Sequence, residues 1–502
     1  MNIKQAKQEI TNTLKAYLAR DGQGNYRIPV NRQRPVLLMG PPGIGKTQIM
    51  AQIAAEAGVG LVSYTITHHT RQSAIGLPFI EKRIYGGREY AVTEYTMSEI
   101  LASVYALMES TGIREGILFL DEINCVSETL APMMLQFLQN KTFGNQRLPD
   151  GWLIVAAGNP PEYNKSVRDF DVVTLDRVKR IDVREDFSVW KEYAYRRALH
   201  GAIISYLDIK KENFYRIETS VDGMEFATAR GWEDLSELLQ VYEQLGLKLD
   251  REVAGQYIQM PRIARDFAGY LELYYKYQKT YHVDEILEGD WHAVTVSELR
   301  AAPFDEKLSV LGLLLARLSD SAGQVRAQDA LTELLYADLL AFKAQLSAGE
   351  PSSKILEELA QGRCGEMARA LEAGQLEKEA RARAQLEIER LEGYRTRLLS
   401  EAVADADALN AVRAWFQQEV DARKTLGEAA SRRFDNAFRY LEQTFGDSQE
   451  LVLFVTEITA GFNTSWFVEQ FGCDAYFRHN RELLFDDTRR RIQSDIIAAR
   501  SE

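Results

Sequence analysis

The sequence predicts an α/β chain: a phosphate-loop αβα core on a parallel sheet, then an all-α lid and an all-α C-terminal domain. Three observations predict it. Short apolar runs near residues 36, 61, 117, 152 and 179 are separated by helix-forming stretches, the alternation of a parallel sheet. Residues 40–47 read GPPGIGKT, directly after the first apolar run and before a helix former. All 12 prolines lie at or before Pro351, and 353–399 is rich in Ala, Leu, Glu, Gln and Arg, so the last stretch reads as helix.

In chain order, residues 1–20 carry a charged amphipathic helix pattern without the apolar segment of a signal peptide. Residues 35–39 form a short apolar strand, and 48–57 a helix. Between them Gly40, Pro41, Pro42, Gly43, Ile44, Gly45, Lys46 and Thr47, with Gln48 opening the helix, fit the pattern G-x-x-x-x-G-K-[ST]. Glycines 40, 43 and 45 let the backbone approach an anion and aim N–H groups at it. The helix N-terminus adds partial positive charge. Lys46 reaches the β- and γ-phosphates of a nucleotide, and the Thr47 hydroxyl holds Mg²⁺. A plain Gly/Pro turn is the competing reading; the flanking strand and helix argue against it.

Hydrolysis needs carboxylates as well. Residues 117–124 read ILFLDEIN, a buried parallel strand with Asp121 at its C-terminal end, where open α/β sheets bind ligands. Asp121 is placed to hold the metal, and Glu122 to orient or deprotonate the attacking water. A third strand, 152–157, ends in Gly158-Asn159-Pro160-Pro161, which sets Asn159 where it can touch the γ-phosphate.

Phosphate loop, strand-Asp-Glu, strand-Asn and a later Arg, in this order and spacing, resemble an AAA+ ATPase. The wording DEIN, AAGNPPE and LDRV resembles the MoxR branch, related to dynein-type and McrB-type modules, over roughly residues 25–285. The resemblance implies that Arg177 is an arginine finger reaching the nucleotide of a neighbouring subunit, with Arg168 and Arg180 as rivals; the competing reading is that Arg177 pairs locally with Asp176 or Asp182. It also implies that Arg230, in ATARGW at the start of a lid helix, senses the γ-phosphate of its own subunit; Trp232, Leu235, Leu239 and Tyr242 then form a core-packing stripe.

Residues 63–70 are a β-type run. Residues 80–85 and 88–92, joined by Gly86-Gly87, predict a tight hairpin at the position of the insertion that marks this clade. A second hairpin is predicted over 141–149. In a ring, both would face the pore and grip a substrate; the alternative is two ordinary surface hairpins. His68 and His69 lack a third ligand at useful spacing, so a loop or core role is favoured over metal.

The chain has 502 residues, with 60 Lys plus Arg against 73 Asp plus Glu, a net charge of −13. That balance argues against general nucleic-acid binding. Cys125, Cys364 and Cys473 show no CxxC spacing and read as reduced, buried thiols of a cytoplasmic protein. No apolar run approaches 18 residues, so no membrane span is expected. The expected domains are a nucleotide core over 1–184, a helical lid over 185–285, a helical extension over 286–350 and an all-helical domain over 351–502. Within the last, 353–399 reads as one long helix, paired in a hairpin with 408–426, followed by shorter helices at 435–445 and 451–458. Its aromatics, from Phe454 to Phe485, read as a small core or a docking surface. The resemblance implies an ATP- and Mg²⁺-dependent remodelling chaperone, a homo-hexameric ring acting on a protein client, with a von Willebrand factor A domain protein as partner. The alternatives are a McrB-like nucleic-acid NTPase motor and a nucleotide-gated scaffold without turnover.

Overall fold

Alternation along one strand organises the first part of the molecule. In β5 (Gly116–Asp121), Ile117 and Phe119 enter one hydrophobic core and Leu118 and Leu120 another, because successive side chains of a strand point to opposite faces. With both faces covered, the strand reads as an unbroken apolar run. The computed structural model describes residues 1–68, 76–143, 146–163, 167, 170–220, 223–374 and 378–481. It divides into two units, Met1–Asp186 with Ala360–Ile388, and Phe187–Leu359 with the described residues from Glu389 onward.

The first unit holds a five-stranded sheet. Its strands are β1 (Val36–Met39), β2 (Gly60–Thr65), β5, β8 (Trp152–Gly158) and β9 (Lys179–Asp182), in the order β2-β5-β8-β1-β9, with every neighbouring pair parallel. Helices Ile3–Leu18 and Lys46–Ala57 supply the core of one face through Ile10, Leu14, Ile49 and Ile53. Helices Glu99–Thr111 and Ala131–Asn140 supply the other through Leu101, Val104, Met134 and Phe137. The N-terminal helix starts with a capping box between Asn2 and Gln5. All five strands lie where the apolar runs place them. The β-type run of 63–70 differs: β2 stops at Thr65 and a 3-10 turn, Ile66–His68, follows. The metal alternative for His68 and His69 falls outside the described side chains.

Both predicted hairpins are present. The strands β3 (Pro78–Tyr85) and β4 (Arg88–Tyr95) pair antiparallel with Tyr85 opposite Arg88. Gly86 and Gly87 both take positive φ, +58° and +79°, as a two-residue turn that follows the strand twist requires. The second hairpin pairs β6 (Thr142–Phe143) with β7 (Gln146–Arg147), and Phe143 stacks on Phe137 at 4.0 Å.

The second unit is mostly helical, and its two-stranded hairpin, β10 (Arg216–Ser220) with β11 (Gly223–Ala227), is absent from the sequence reading. Its longest helices are Phe304–Ser347, of 44 residues, and Asp405–Phe445, of 41. The single helix expected over 353–399 is instead two, Ser352–Glu372 and Lys378–Ser400, because the chain turns at Ala373-Gly374, where Gly374 has φ +68°. Conversely, the separate helices expected at 408–426 and 435–445 are one. Gly427 does not break it: a β-carbon there would lie 2.7 Å from the Phe471 ring, so the glycine makes room for that ring. The C-terminal aromatics Phe454, Phe467 and Tyr476 are buried with Phe434 and Phe438 in one core, while Phe485 lies outside the described residues. No single helix among the described residues is long and apolar enough to cross a membrane.

The Trp152 indole lies over the starts of β2 and β5, and a β-carbon on Gly116 would sit 2.6 Å from it and 2.8 Å from the Gly60 carbonyl oxygen. Gly116→Ala should therefore destabilise the core by about 1–3 kcal/mol, measured by chemical denaturation. Lys141 ends the helix Ala131–Asn140 with φ +57°, is 5% exposed, and its Nζ has no hydrogen-bond partner among the described residues. Burial, with repulsion from Arg147, pulls its pKa from 10.5 down to about 8. The unfolded chain binds this proton more tightly, so stability rises as pH climbs from about 8 to 10.5. Lys141→Met should exceed wild type in stability near pH 7 by up to about 3 kcal/mol, at about 1.4 kcal/mol per pKa unit, and the gap should close by pH 10.5.

Candidate active site

The site forms where the C-terminal ends of β1, β5 and β8 meet the N-terminus of the helix Lys46–Ala57. The loop between β1 and that helix turns through two left-handed glycines, Gly43 at φ +74° and Gly45 at φ +90°. Gly40 is tight against β9's continuation: a β-carbon would sit 2.9 Å from the Val183 carbonyl oxygen and 3.0 Å from Ile44 Cδ1. Pro41 is buried, Pro42 and Ile44 half-buried, and Gln48 exposed on the first turn. Gly45 is the N-cap and brings no side-chain acceptor. The first N–H groups of the helix are thereby left to an external anion.

Lys46 is 8% exposed. Its Nζ donates at 2.8 Å to the Gly40 carbonyl, the Pro41 carbonyl and Asn159 Oδ1, which joins the loop to the end of β8. The Thr47 hydroxyl donates to Asp121 Oδ2 at 2.9 Å. Asp121 Oδ1 accepts the Glu122 N–H at 2.9 Å, and Glu122 holds the left-handed φ of +56°, uncommon for a residue with a side chain. Lys46 with Asn159, and Thr47 with Asp121 and Glu122, thus form two hydrogen-bonded sets that the Lys46–Thr47 peptide bond joins into one site.

Two further residues belong to it that sequence reading missed. Thr67, just past β2, donates from Oγ1 to Glu122 Oε2 at 2.7 Å. Its signal was its place: it follows the strand that pairs with β5, where Thr65 stands opposite Asp121. Asn124 donates from Nδ2 to the Asn159 carbonyl at 2.7 Å and fills the space over Gly158, where a β-carbon would come within 2.6 Å. The Cys125 thiol beside them is pushed up in pKa by burial, with Glu122 and Asp121 adding to the shift.

Arg177 and Arg180 make their hydrogen bonds outside this network. Arg177 is exposed and donates to Gln139 Oε1, not to Asp176 or Asp182; Asp182 is taken by Arg180 at 2.9 Å. Arg168 lies outside the described residues. Arg230 is exposed in the first turn of the helix Ala229–Leu245 of the second unit, whose N-cap is Thr228. In that helix Trp232, Leu235 and Leu239 are buried, and the Trp232 indole donates to the Phe214 carbonyl at 3.1 Å.

The donor set fits a nucleoside triphosphate with a hard divalent cation. Left-handed glycines, uncapped helix N–H groups and a Lys ammonium meet phosphate oxygens, while a Thr hydroxyl beside an Asp carboxylate offers the all-oxygen coordination that Mg²⁺ takes. Residues 36–180 match the family model of the ATPase family associated with various cellular activities (AAA). The nucleotide core is AAA-like. No curated protein matches the chain in sequence. Among solved structures it is similar to that of NtrX from Brucella abortus in complex with ADP, at 17% identity, over 41% of this chain and 44% of that one, with a TM-score of 0.25. The matched region spans less than half the length of that protein.

Removing the AAA-like core's Lys46 tests its use. Lys46→Ala should weaken binding of a fluorescent ATP analogue at least about 100-fold, the scale of a lost charge-assisted contact of about 3 kcal/mol, while leaving the unfolding midpoint of the nucleotide-free protein within a few degrees.

Proposed function

We propose that this chain is an ATP-hydrolysing AAA+ ATPase of the MoxR-like branch, working as a homo-hexameric ring that remodels or matures a protein client. The observation that carries the reading is the convergence of two hydrogen-bonded sets, Lys46 with Asn159 and Thr47 with Asp121 and Glu122, at the ends of three parallel strands. A cytoplasmic setting and a von Willebrand factor A domain protein as partner belong to the same proposal, and both rest on the sequence resemblance. So does the division into a core over 1–184, a lid over 185–285, an extension over 286–350 and a C-terminal domain over 351–502.

ATP is the substrate. The loop N–H groups of 40–47 and Lys46 hold its phosphates and offset their charge. Thr47 and Asp121 would hold Mg²⁺, which when bound polarises the phosphoryl oxygens. Glu122 takes a proton from water as the water oxygen bonds to the γ-phosphorus; the bond from that phosphorus to the β,γ-bridging oxygen breaks, and ADP and phosphate leave. Asn159, held on Lys46, senses the γ-phosphate, as does Arg230 in the same subunit. Arg177 completes the site of a neighbouring subunit, a role for which its exposure suits it. The β3–β4 hairpin supports the client reading: Ile80 is 77% and Ile84 74% exposed on it, apolar surface that water disfavours and a client chain would cover.

Glu122→Gln should retain ATP binding and lose steady-state phosphate release by at least about 100-fold, as expected for removal of a general base. Arg177→Ala should match that loss only where subunits assemble, so its activity should stop rising with protein concentration. Normal turnover by Glu122→Gln would remove the assigned base, and wild-type turnover by Arg177→Ala would remove the trans finger.

A further inference from the structure

We infer that Gln139 is a positioning residue for Arg177, aiming the guanidinium outward at the nucleotide of a neighbouring copy of the chain. This rests on the trans-finger reading above. An arginine that works across an interface must wait on its own surface, fully charged and already oriented. Two separate pieces of chain meet that demand here.

Gln139 stands in the last turn of the helix Ala131–Asn140. Its neighbours Phe137 and Leu138 are buried, Phe137 stacks on Phe143 at 4.0 Å, and the Lys141 N–H closes the helix on the Phe137 carbonyl at 2.7 Å. The backbone of Gln139 is held by these contacts, and its side chain is half-buried. Arg177 follows the short helix Val172–Leu175, which Asp171 caps by accepting the Thr174 N–H at 2.7 Å. Thr174 and Val178 are buried on either side of Arg177, and the Arg177 N–H donates to the Thr174 carbonyl at 3.1 Å. Phe137, Leu138 and Val178 share one core. That core sets the separation of the two backbones, and the bond from Arg177 Nη1 to Gln139 Oε1 spans it.

The chemistry of the acceptor tells positioning from restraint. Arg180 gives its Nε to Asp182, a carboxylate that neutralises it. Gln139 is an amide: it takes one N–H, leaves the charge whole and leaves the other donors of the guanidinium fork for an anion. Asp171 attracts Arg177 as well, but its Oδ1 is committed to the cap. A neutral hydrogen bond shifts an equilibrium about 2- to 10-fold, whereas an arginine finger is worth about 10³–10⁵ in rate. The amide is too weak to keep the finger from a γ-phosphate. It is strong enough to spare part of the rotamer freedom that an exposed arginine loses on meeting one. The gain falls on kcat, because the finger acts on the transition state and not on ATP binding.

The test uses full-length chains in mixed assemblies. A donor carries Glu122→Gln and keeps Arg177; an acceptor carries Arg177→Ala and keeps Glu122. Each is slow alone. Together, with fluorescence transfer between labelled chains to follow association, they should release phosphate at least about 10-fold faster. Gln139→Met in the donor keeps the side-chain length and removes the oxygen. It should cut the restored kcat at least about threefold and leave the KM for ATP within about twofold. The same change in the acceptor, which has no Arg177 to aim, should leave the restored kcat within about 1.5-fold. Equal losses from donor and acceptor would make Gln139 a structural residue, and an unchanged or faster rate from the donor would remove its role. Each of these overturns the inference and leaves the trans finger standing. If Gln139→Met fails to fold, Gln139→Ala, a better helix former, enters the same arms. Chains that associate yet stay inactive together, or that do not associate, take the trans-finger reading and the inference with it.

Discussion

One ammonium group, Lys46 Nζ, ties three pieces of chain into a site. It bonds two carbonyls of its own loop and the side chain of Asn159, more than a hundred residues on. This contact depends on the sheet order: β8 lies between β1 and β5, so the ends of all three strands converge on one helix N-terminus. The parallel sheet is thus the constraint from which the site follows. Its two faces must be covered, which demands the apolar runs, and the polar residues are left only at the strand ends.

Strand ends are also where the backbone departs from ordinary geometry. Gly43 and Gly45 are left-handed without penalty, but Glu122 is left-handed with a side chain, and its N–H is capped by the Asp121 carboxylate. Such conformations persist when surrounding bonds fix them, and they cluster at working sites. Around Glu122 those bonds come from Asp121, Thr67 and Cys125.

The strands, the loop and the Asp–Glu pair were legible because each is local: an apolar run, a glycine pattern, a carboxylate at a strand end. Thr67 was not, since its contact with Glu122 depends on β2 pairing with β5, a choice no short window of sequence encodes. The β10–β11 hairpin was missed because its strands are five residues each beside strongly helical neighbours, although Asp222-Gly223 is a turn-forming pair. The break at Ala373-Gly374 was overlooked in a composition that favours helix, where one glycine is a weak signal. Gly427 shows the converse, a glycine inside a helix that serves packing.

That last glycine has a mechanical consequence. A notch for the Phe471 ring sits within the helix Asp405–Phe445, which runs on for 41 residues, about 60 Å at 1.5 Å per residue. Its cost in helix propensity, about 1 kcal/mol, is offset by packing against the half-buried ring. The outcome is one uninterrupted ladder of i→i−4 bonds from Asp405 to Phe445, with room at its middle for an aromatic ring.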